Sequence, residues 1–228
     1  MAEDDSNLPR RRPERCIHLF GSLSLSFDAA AFAQVRSAVL EDDKHAWLVD
    51  VVRQLPQTLE SILLEVASLH ESSHVAREQL ADLHGAVMGG RPLDMALPLP
   101  NSVLIPLVVI DQLSQYASFA REIGVQRGSR RDDWPRSNRD TQSLGLCTGI
   151  LSAIAVSTAR SWAEFQQNGA AAVRLGLLIG LVVDSQDAAL GGGRWRSLSV
   201  AWSGKQGEEE LQGILVDYEE VSSPLHPC

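Results

Sequence analysis

The sequence has few cysteines. Among its 228 residues there are three, Cys16, Cys147 and Cys228, and they lie far apart. Their odd number and wide spacing exclude a disulfide framework and the closely spaced thiolates of a metal site. We therefore predict a protein of a reducing compartment, the cytoplasm, with no metal site. We also predict no tightly bound cofactor.

Basic side chains are also scarce. The chain carries 20 Lys and Arg against 29 Asp and Glu, a formal net charge of −9. Because binding to phosphate backbones needs a basic surface, this balance argues against a nucleic-acid partner. Residues 1–15 are polar throughout, include three consecutive arginines and lack the apolar core of a secretory signal. We predict that this segment is a disordered tail.

No apolar run has the length and continuity of a membrane span. The strongest candidate, residues 169–183, is interrupted by Arg174 and followed by Asp184, whereas a spanning helix needs ~20 apolar residues. We therefore predict a buried helix of a soluble core and no membrane partner. Gly176 and Gly180 form a G-x-x-x-G pair in this segment, which would allow a neighbouring element to approach closely.

What the sequence does contain is a G-x-C-x-G pattern at residues 145–149, between a short apolar stretch and a helix-like run. The pattern is typical of a nucleophile elbow, in which a strand, a sharp turn carrying the nucleophile and a helix follow one another. Gly145 and Gly149 would leave no Cβ where strand and helix approach. Cys147 would lie at the helix N-terminus, where the positive end of the helix dipole favours a thiolate.

The chemistry that follows is acyl transfer through a thioester on Cys147, with the backbone N–H of Thr148 directed at the developing oxyanion. The alternative is a structural role for Cys147, because free cysteine is often buried as a small hydrophobic residue. The context favours catalysis, since a polar stretch, residues 127–143, precedes the motif and a long apolar segment follows it.

The spacing of apolar residues predicts a helix-rich α/β fold. Residues 16–21 form a short apolar run that ends in glycine, which predicts a buried strand. In residues 197–202 large apolar residues alternate with serine and alanine, which predicts a second strand. Most of the chain between them has helical periodicity, and strands that alternate with helices indicate an α/β architecture.

Three details of the helices are also predicted. Pro56 should break or kink one helix, and Pro106 should fall in the first turn of another, where proline is tolerated. The helix from Thr148 to about residue 158 is apolar nearly all round, so it should be buried.

Three segments resemble the starter-unit acyl-carrier-protein transacylase domain, the N-terminal domain of fungal non-reducing polyketide synthases. Residues 144–157, LGLCTGILSAIAVS, are similar to the active-site segment of that family and are the most specific part. Residues 18–21, HLFG, resemble its opening strand and turn, and residues 102–123 resemble the helix ahead of the active site. The resemblance extends over residues 16–220.

The resemblance implies that residues 16–228 are the N-terminal part of such a domain, with an α/β-hydrolase-like acyltransferase core that is incomplete at its C-terminus. It implies that an acyl starter unit passes from coenzyme A to an acyl carrier protein by way of Cys147. Acyl-CoA would be the substrate, and the carrier protein, with its phosphopantetheine arm, would be the partner.

The sequence departs from the family at two places. Family members use a histidine downstream of the nucleophile as base, in a segment beyond the end of this chain, whereas the histidine that follows Cys147 here is His226, which we expect to be a tail residue. They also carry a glutamine where this sequence has Leu23, whose side chain cannot donate to an oxyanion. We therefore expect slow acyl transfer or none, and the alternative function is a truncated or degenerate, non-catalytic interaction module.

Overall fold

The computed structural model describes residues 16–21, 29–40, 45–70, 73–89, 99–126, 141–189 and 212–213. All but the last pair belong to one compact unit, residues 1–192, and a second unit comprises residues 193–228. Several predicted features lie outside the described residues: the tail at 1–15, Leu23, the strand at 197–202 and His226.

The described part of the first unit contains two strands and six α-helices. Strand β1 spans Cys16–Phe20 and strand β2 spans Thr141–Gly145. The helices are α1 Ala29–Leu40, α2 Ala46–Glu65, α3 Ser73–Gly89, α4 Asn101–Gln126, α5 Gly149–Thr158 and α6 Trp162–Ala189, with a 3-10 turn at Ala67–Leu69. This helix-rich arrangement with a little sheet is compatible with the predicted α/β class.

The two strands pair in parallel, with Cys16 opposite Thr141 and Phe20 opposite Gly145. A parallel pair needs a long crossover, which the helices α1 to α4 supply. The prediction of a buried β1 is wrong for one of its faces: Phe20 is buried, whereas Leu19 is 76% exposed. Since successive side chains of a strand point to opposite faces, the core covers one side of this small sheet and leaves the other open.

Helix α2 continues through a proline, which favours a helix break locally, because the tertiary packing of its buried face outweighs that preference. Its buried residues line one face at helical spacing, and they continue on both sides of Pro56: Leu48, Val51, Val52, Leu55, Leu59 and Leu63. The helix runs through Pro56, so of the predicted break or kink the break is wrong. An interior proline costs ~3 kcal/mol, which the burial of several leucine and valine side chains, at ~2 kcal/mol each, outweighs.

Helices α4 and α6 pack along each other in the centre of the unit. A Cβ on Gly180 would overlap the carbonyl group of Asn101, and a Cβ on Gly176 would press against the side chain of Ile105. The close approach predicted from the G-x-x-x-G pair is therefore confirmed. Because α4 begins at Asn101, Pro106 lies beyond its first turn, which corrects the predicted position.

Helices α5 and α6 each keep an apolar face outside the core. Ser152 and Val156 of α5 are buried, whereas Ile150 and Ile154 are about half exposed, at 48% and 54%. The prediction that α5 is buried all round is therefore wrong, since β2, α4 and α6 pack against the helix on one side.

Two helices in the part of the chain that the structure describes, α4 and α6, are long and apolar enough to cross a membrane by length and composition alone. The core helix of a soluble protein meets the same criteria. In α4, 72% of the most apolar stretch of residues is buried inside the unit, compared with 39% of the corresponding stretch in α6. The burial of α4 therefore fits a core helix, while α6 is covered over part of its surface.

Asp184 near the end of α6 caps the beginning of α4. Its Oδ1 accepts hydrogen bonds from the backbone N–H and the side-chain amide of Asn101, at 2.9 and 3.0 Å, and its Oδ2 accepts one from the N–H of Ser102, at 2.9 Å. The first N–H groups of a helix have no partner within the helix and favour a negative charge. One carboxylate therefore satisfies the start of α4 and fixes it to α6.

We expect Asp184→Ala to lower the free energy of unfolding by about 2 kcal/mol, because it removes a charged cap and leaves two backbone donors without their acceptor. Urea denaturation followed by circular dichroism measures the change. Asp187→Ala is the matched control, since Asp187 lies one turn further along α6 and its carboxylate does not cap α4. Equal stability of the Asp184 variant and the wild type would contradict the capping role.

Candidate functional site

Cys147 lies in a tight turn between β2 and α5. The strand ends at Gly145 and the helix begins at Gly149. The N–H of Gly149 donates to the carbonyl oxygen of Leu146 at 3.0 Å, which closes the turn. The strand, turn and helix predicted from the G-x-C-x-G pattern are confirmed, and residues 146–149 are called the Cys147 turn below.

The backbone of the Cys147 turn is strained at the cysteine itself. Cys147 has a φ of 55°, a positive value that no other non-glycine residue of the described part adopts. For an L-residue this region costs about 1–2 kcal/mol relative to the right-handed region. Thr148, with φ −60° and ψ −25°, is already helical. The chain thus reverses at Cys147 and enters α5 directly after it.

The two glycines of the motif are required by the close approach of backbones. A Cβ on Gly145 would overlap the backbone of Gly149 and Ile150, and a Cβ on Gly149 would overlap the carbonyl groups of Phe20 and Gly21. The first turn of α5 therefore sits directly on the ends of both strands. The predicted role of Gly145 and Gly149 in this packing is confirmed.

The end of β1 is bound to the Cys147 turn and to α4. The N–H of Leu146 donates to the carbonyl oxygen of Phe20 at 3.0 Å. The side-chain amide of Gln112 on α4 donates to the carbonyl oxygen of Gly21 at 2.9 Å, and the hydroxyl of Ser152 on α5 donates to Oε1 of Gln112 at 2.6 Å. Neither Gln112 nor Ser152 was among the predicted site residues, because nothing in the linear sequence relates them.

The side chain of Cys147 is exposed and forms no disulfide. The alternative of a buried structural cysteine is therefore wrong for this residue. The backbone N–H of Thr148 is hydrogen-bonded to no acceptor in the described part of the chain. An exposed sulfur next to an available N–H at a helix N-terminus is an arrangement that can hold a negative charge on a bound group.

His18 lies on β1, two residues before Phe20 at the end of the strand. It pairs in register with Ser143, so it lies about 10 Å or more from the Cys147 turn at ~3.3 Å per residue of strand. Its ring packs edge-on against Tyr116 and Phe119, at the wall of a groove of about 480 Å³ between β1 and α4. Burial lowers the pKa of His18 below its usual value.

The other described histidines lie at the start of α2, in the segment after the 3-10 turn, and on α3: His45, His70, His74 and His84. No histidine in the ranges given above is hydrogen-bonded to the sulfur of Cys147. The described part of the chain therefore brings together the nucleophile candidate, the Thr148 N–H and the two glycines, but not a base.

Comparison with known proteins identifies the family of the chain. A family model described as "Starter unit:ACP transacylase in aflatoxin biosynthesis" matches residues 98–226, which is more than half of the chain and includes the Cys147 turn. The chain therefore belongs to the starter unit:ACP transacylase family, as the resemblance of residues 144–157 predicted.

Similar curated proteins are fungal polyketide synthases. The chain is 64% identical over 221 residues to a 3-methylorcinaldehyde synthase of Phoma sp., and 40% identical over 215 residues to the non-reducing polyketide synthase dbaI of Emericella nidulans. It is also 40% identical over 216 residues to the clavatol synthase claF of Penicillium crustosum. These matches cover 97%, 94% and 93% of this chain, but 8% of the length of each relative.

We expect Gly149→Ala to disrupt the Cys147 turn and to lower stability by about 2 kcal/mol or more, because the new methyl group would overlap two carbonyl groups of the β1 end. Gly85→Ala in α3 is the matched control, since a Cβ there meets nothing within 4 Å. Relief of the glycine penalty should make that variant ~0.5–1 kcal/mol more stable. Thermal unfolding distinguishes the two, and a Gly149 variant as stable as the Gly85 variant would contradict the close approach.

Proposed function

We propose that this chain supplies the nucleophile of a starter-unit transacylase, which moves an acyl group from coenzyme A to an acyl carrier protein as a thioester on Cys147. The observation that carries the proposal is the exposed Cys147, held at a positive φ between a strand end and a helix N-terminus. This turn has the form of a nucleophile elbow. Membership of the transacylase family supports the reaction class.

The chemistry has two balanced halves. The thiolate of Cys147 attacks the carbonyl carbon of acyl-CoA, and the negative charge that develops on the carbonyl oxygen is stabilised by the N–H of Thr148. The C–S bond to coenzyme A then breaks, and coenzyme A leaves as its thiolate. In the second half the phosphopantetheine thiolate of the carrier protein attacks the thioester, and Cys147 is released as a thiolate.

The proposed domain is one part of a longer protein. The relatives are polyketide synthases of which the matching region is 8%, and Ile17, Leu144 and Leu146 leave apolar surface open beside the sheet. We propose that residues 16–228 form the N-terminal part of a starter-unit domain with an α/β-hydrolase-like core, in a cytoplasmic synthase. In the alternative, a non-catalytic interaction module, the same surface would remain without the chemistry.

We expect Cys147 to be the cysteine that alkylating reagents modify first, because its side chain is exposed at the tip of the Cys147 turn. Limited treatment with iodoacetamide followed by peptide mapping measures the relative rates at Cys147, Cys16 and Cys228. A variant with Cys147→Ala should lose the fast phase and keep the slow one. Faster modification of Cys16 than of Cys147 would mean that the elbow interpretation is wrong.

We expect acyl-CoA to acylate Cys147 once, whereas turnover with a carrier protein should be slow or absent because the described residues offer no base. Intact-mass analysis after incubation with acetyl-CoA or octanoyl-CoA detects the added acyl group. Cys147→Ala should abolish the adduct, and Cys16→Ala should retain it.

No adduct on the wild type, with the Cys147 thiol shown to be free, would contradict the proposed function. Many turnovers onto a phosphopantetheine-bearing carrier protein would instead show that a base is present, and His18, His70, His74 and His84 would then be substituted in turn.

A further inference from the structure

Strand β1 pairs with β2 alone in the described part of the chain, and the geometry of that pairing shows which of its backbone groups are left free. The carbonyl oxygen of Phe20 accepts a hydrogen bond from the N–H of Leu146, directly after β2. In an extended strand the N–H and C=O of one residue point to one side, and those of the next residue point to the other. Since Phe20 faces β2, His18 faces it too, and the N–H and C=O groups of Ile17 and Leu19 face away from it.

The free edge of β1 opens into a groove of about 480 Å³ between β1 and α4, which we call the β1 edge groove. Its wall on α4 is formed by four side chains: Gln112, Gln115, Tyr116 and Phe119. At one end the side-chain amide of Gln112 donates to the carbonyl oxygen of Gly21 at 2.9 Å, which closes the edge there. The backbone groups of Ile17 and Leu19 remain without a partner in the described part of the chain.

The β1 edge groove is apolar. Ile17 and Leu19 are 54% and 76% exposed, and Phe119 on the opposite wall is 40% exposed. The described residues that line the groove include no Asp, Glu, Lys or Arg. Proteins protect unpaired edge strands with charged residues or proline, and β1, with the sequence CIHLF, has neither. This composition fits a strand whose edge is paired when the protein is complete.

The groups that face the groove define the chemistry of its occupant. Free N–H and C=O groups at alternate positions match the backbone of another extended segment, as in recognition by strand addition. The five residues of β1 extend over ~16 Å, so a strand of similar length fits along them. Parallel sheets are found with both faces covered and most sheets have more than two strands, so the side chains of the added strand should be apolar.

We propose that the β1 edge groove is the docking site of a third strand, an apolar extended segment supplied by the synthase polypeptide that adjoins residues 16–228. The length of the relatives supports this occupant, since the matching region is 8% of the 3-methylorcinaldehyde synthase of Phoma sp.. A segment of the same polypeptide has a high effective concentration, which favours it over a second copy of this chain. The inference rests on the proposal that these residues are one part of a longer domain, and it is independent of the chemistry of Cys147.

The test compares amide exchange along β1 in the isolated chain and in the Phoma synthase, with this chain in place of the matching region. Hydrogen–deuterium exchange with residue-resolved mass spectrometry measures both. In the isolated chain the amides of Ile17 and Leu19 should exchange fast and those of His18 and Phe20 slowly, because the second pair bonds to β2. In the synthase the exchange of Ile17 and Leu19 should be ~100-fold slower, because the third strand protects them.

Leu19→Lys is the variant that tests the groove, since a charge on an edge strand opposes strand addition. Leu64→Lys on α2 is the matched control, because Leu64 is 83% exposed and does not line the groove. Both leucines are exposed, so neither substitution should change the thermal unfolding of the isolated chain. In the synthase, Leu19→Lys should keep the exchange of Ile17 fast, whereas Leu64→Lys should leave it slow.

Slow exchange of Ile17 and Leu19 in the synthase alone, lost with Leu19→Lys, supports the third strand. Fast exchange of both in the synthase overturns it, and acylation of Cys147 by acyl-CoA would then still support the transacylase proposal. Slow exchange in the isolated chain also overturns it, and a rate that falls as the protein concentration rises identifies a second copy as the occupant. Equal rates at all four amides of the isolated chain would contradict the pairing from which the inference starts.

Discussion

The site depends on the close approach of three backbone segments: the end of β1, the end of β2 and the first turn of α5. Two glycines allow this approach. Gly145 ends β2, Gly149 begins α5, and a Cβ on either residue would overlap main-chain atoms. Overlap with main chain cannot be relieved by a rotamer change, so the contact restricts the choice of residue at both positions. Because α5 starts directly on the strand ends, the residue between strand and helix has to reverse the chain within a single turn. Cys147 occupies that place.

The same contact connects the Cys147 turn to the centre of the molecule. Helix α5 reaches α4 through the hydrogen bond from Ser152 to Gln112, and α4 packs along α6, whose residue Asp184 caps the start of α4. The Cys147 turn is therefore connected through α5 to the central pair of helices, α4 and α6. A site fixed in this way has little freedom to adjust, which is what preorganised stabilisation of a transition state requires.

The sequence predicted the features that are encoded within one short segment. It did not predict those that depend on contacts between segments distant in the chain. The G-x-C-x-G pattern predicts the strand, the turn and the helix because all three lie within about ten residues, and the family follows from the same segment. The hydrogen bonds from Ser152 to Gln112 and from Gln112 to Gly21 could not be predicted, since these residues are 40 and 91 positions apart and serine and glutamine carry no motif. The break at Pro56 and the burial of α5 on all sides were predicted wrongly for the same reason: propensity and composition do not say which face of a helix meets the core.

The conformation of Cys147 is itself an argument for its function. Glycine adopts a positive φ freely and asparagine does so at small cost, whereas cysteine pays the steric penalty of a Cβ. A residue selected only for turning the chain would be glycine, as its neighbours at 145 and 149 are. Burial does not explain the choice of cysteine either, because the side chain of Cys147 is exposed and is not part of the core. Strain that persists without a packing benefit is found at functional sites, and the group that would justify it here is the sulfur, presented at the start of α5 beside the Thr148 N–H.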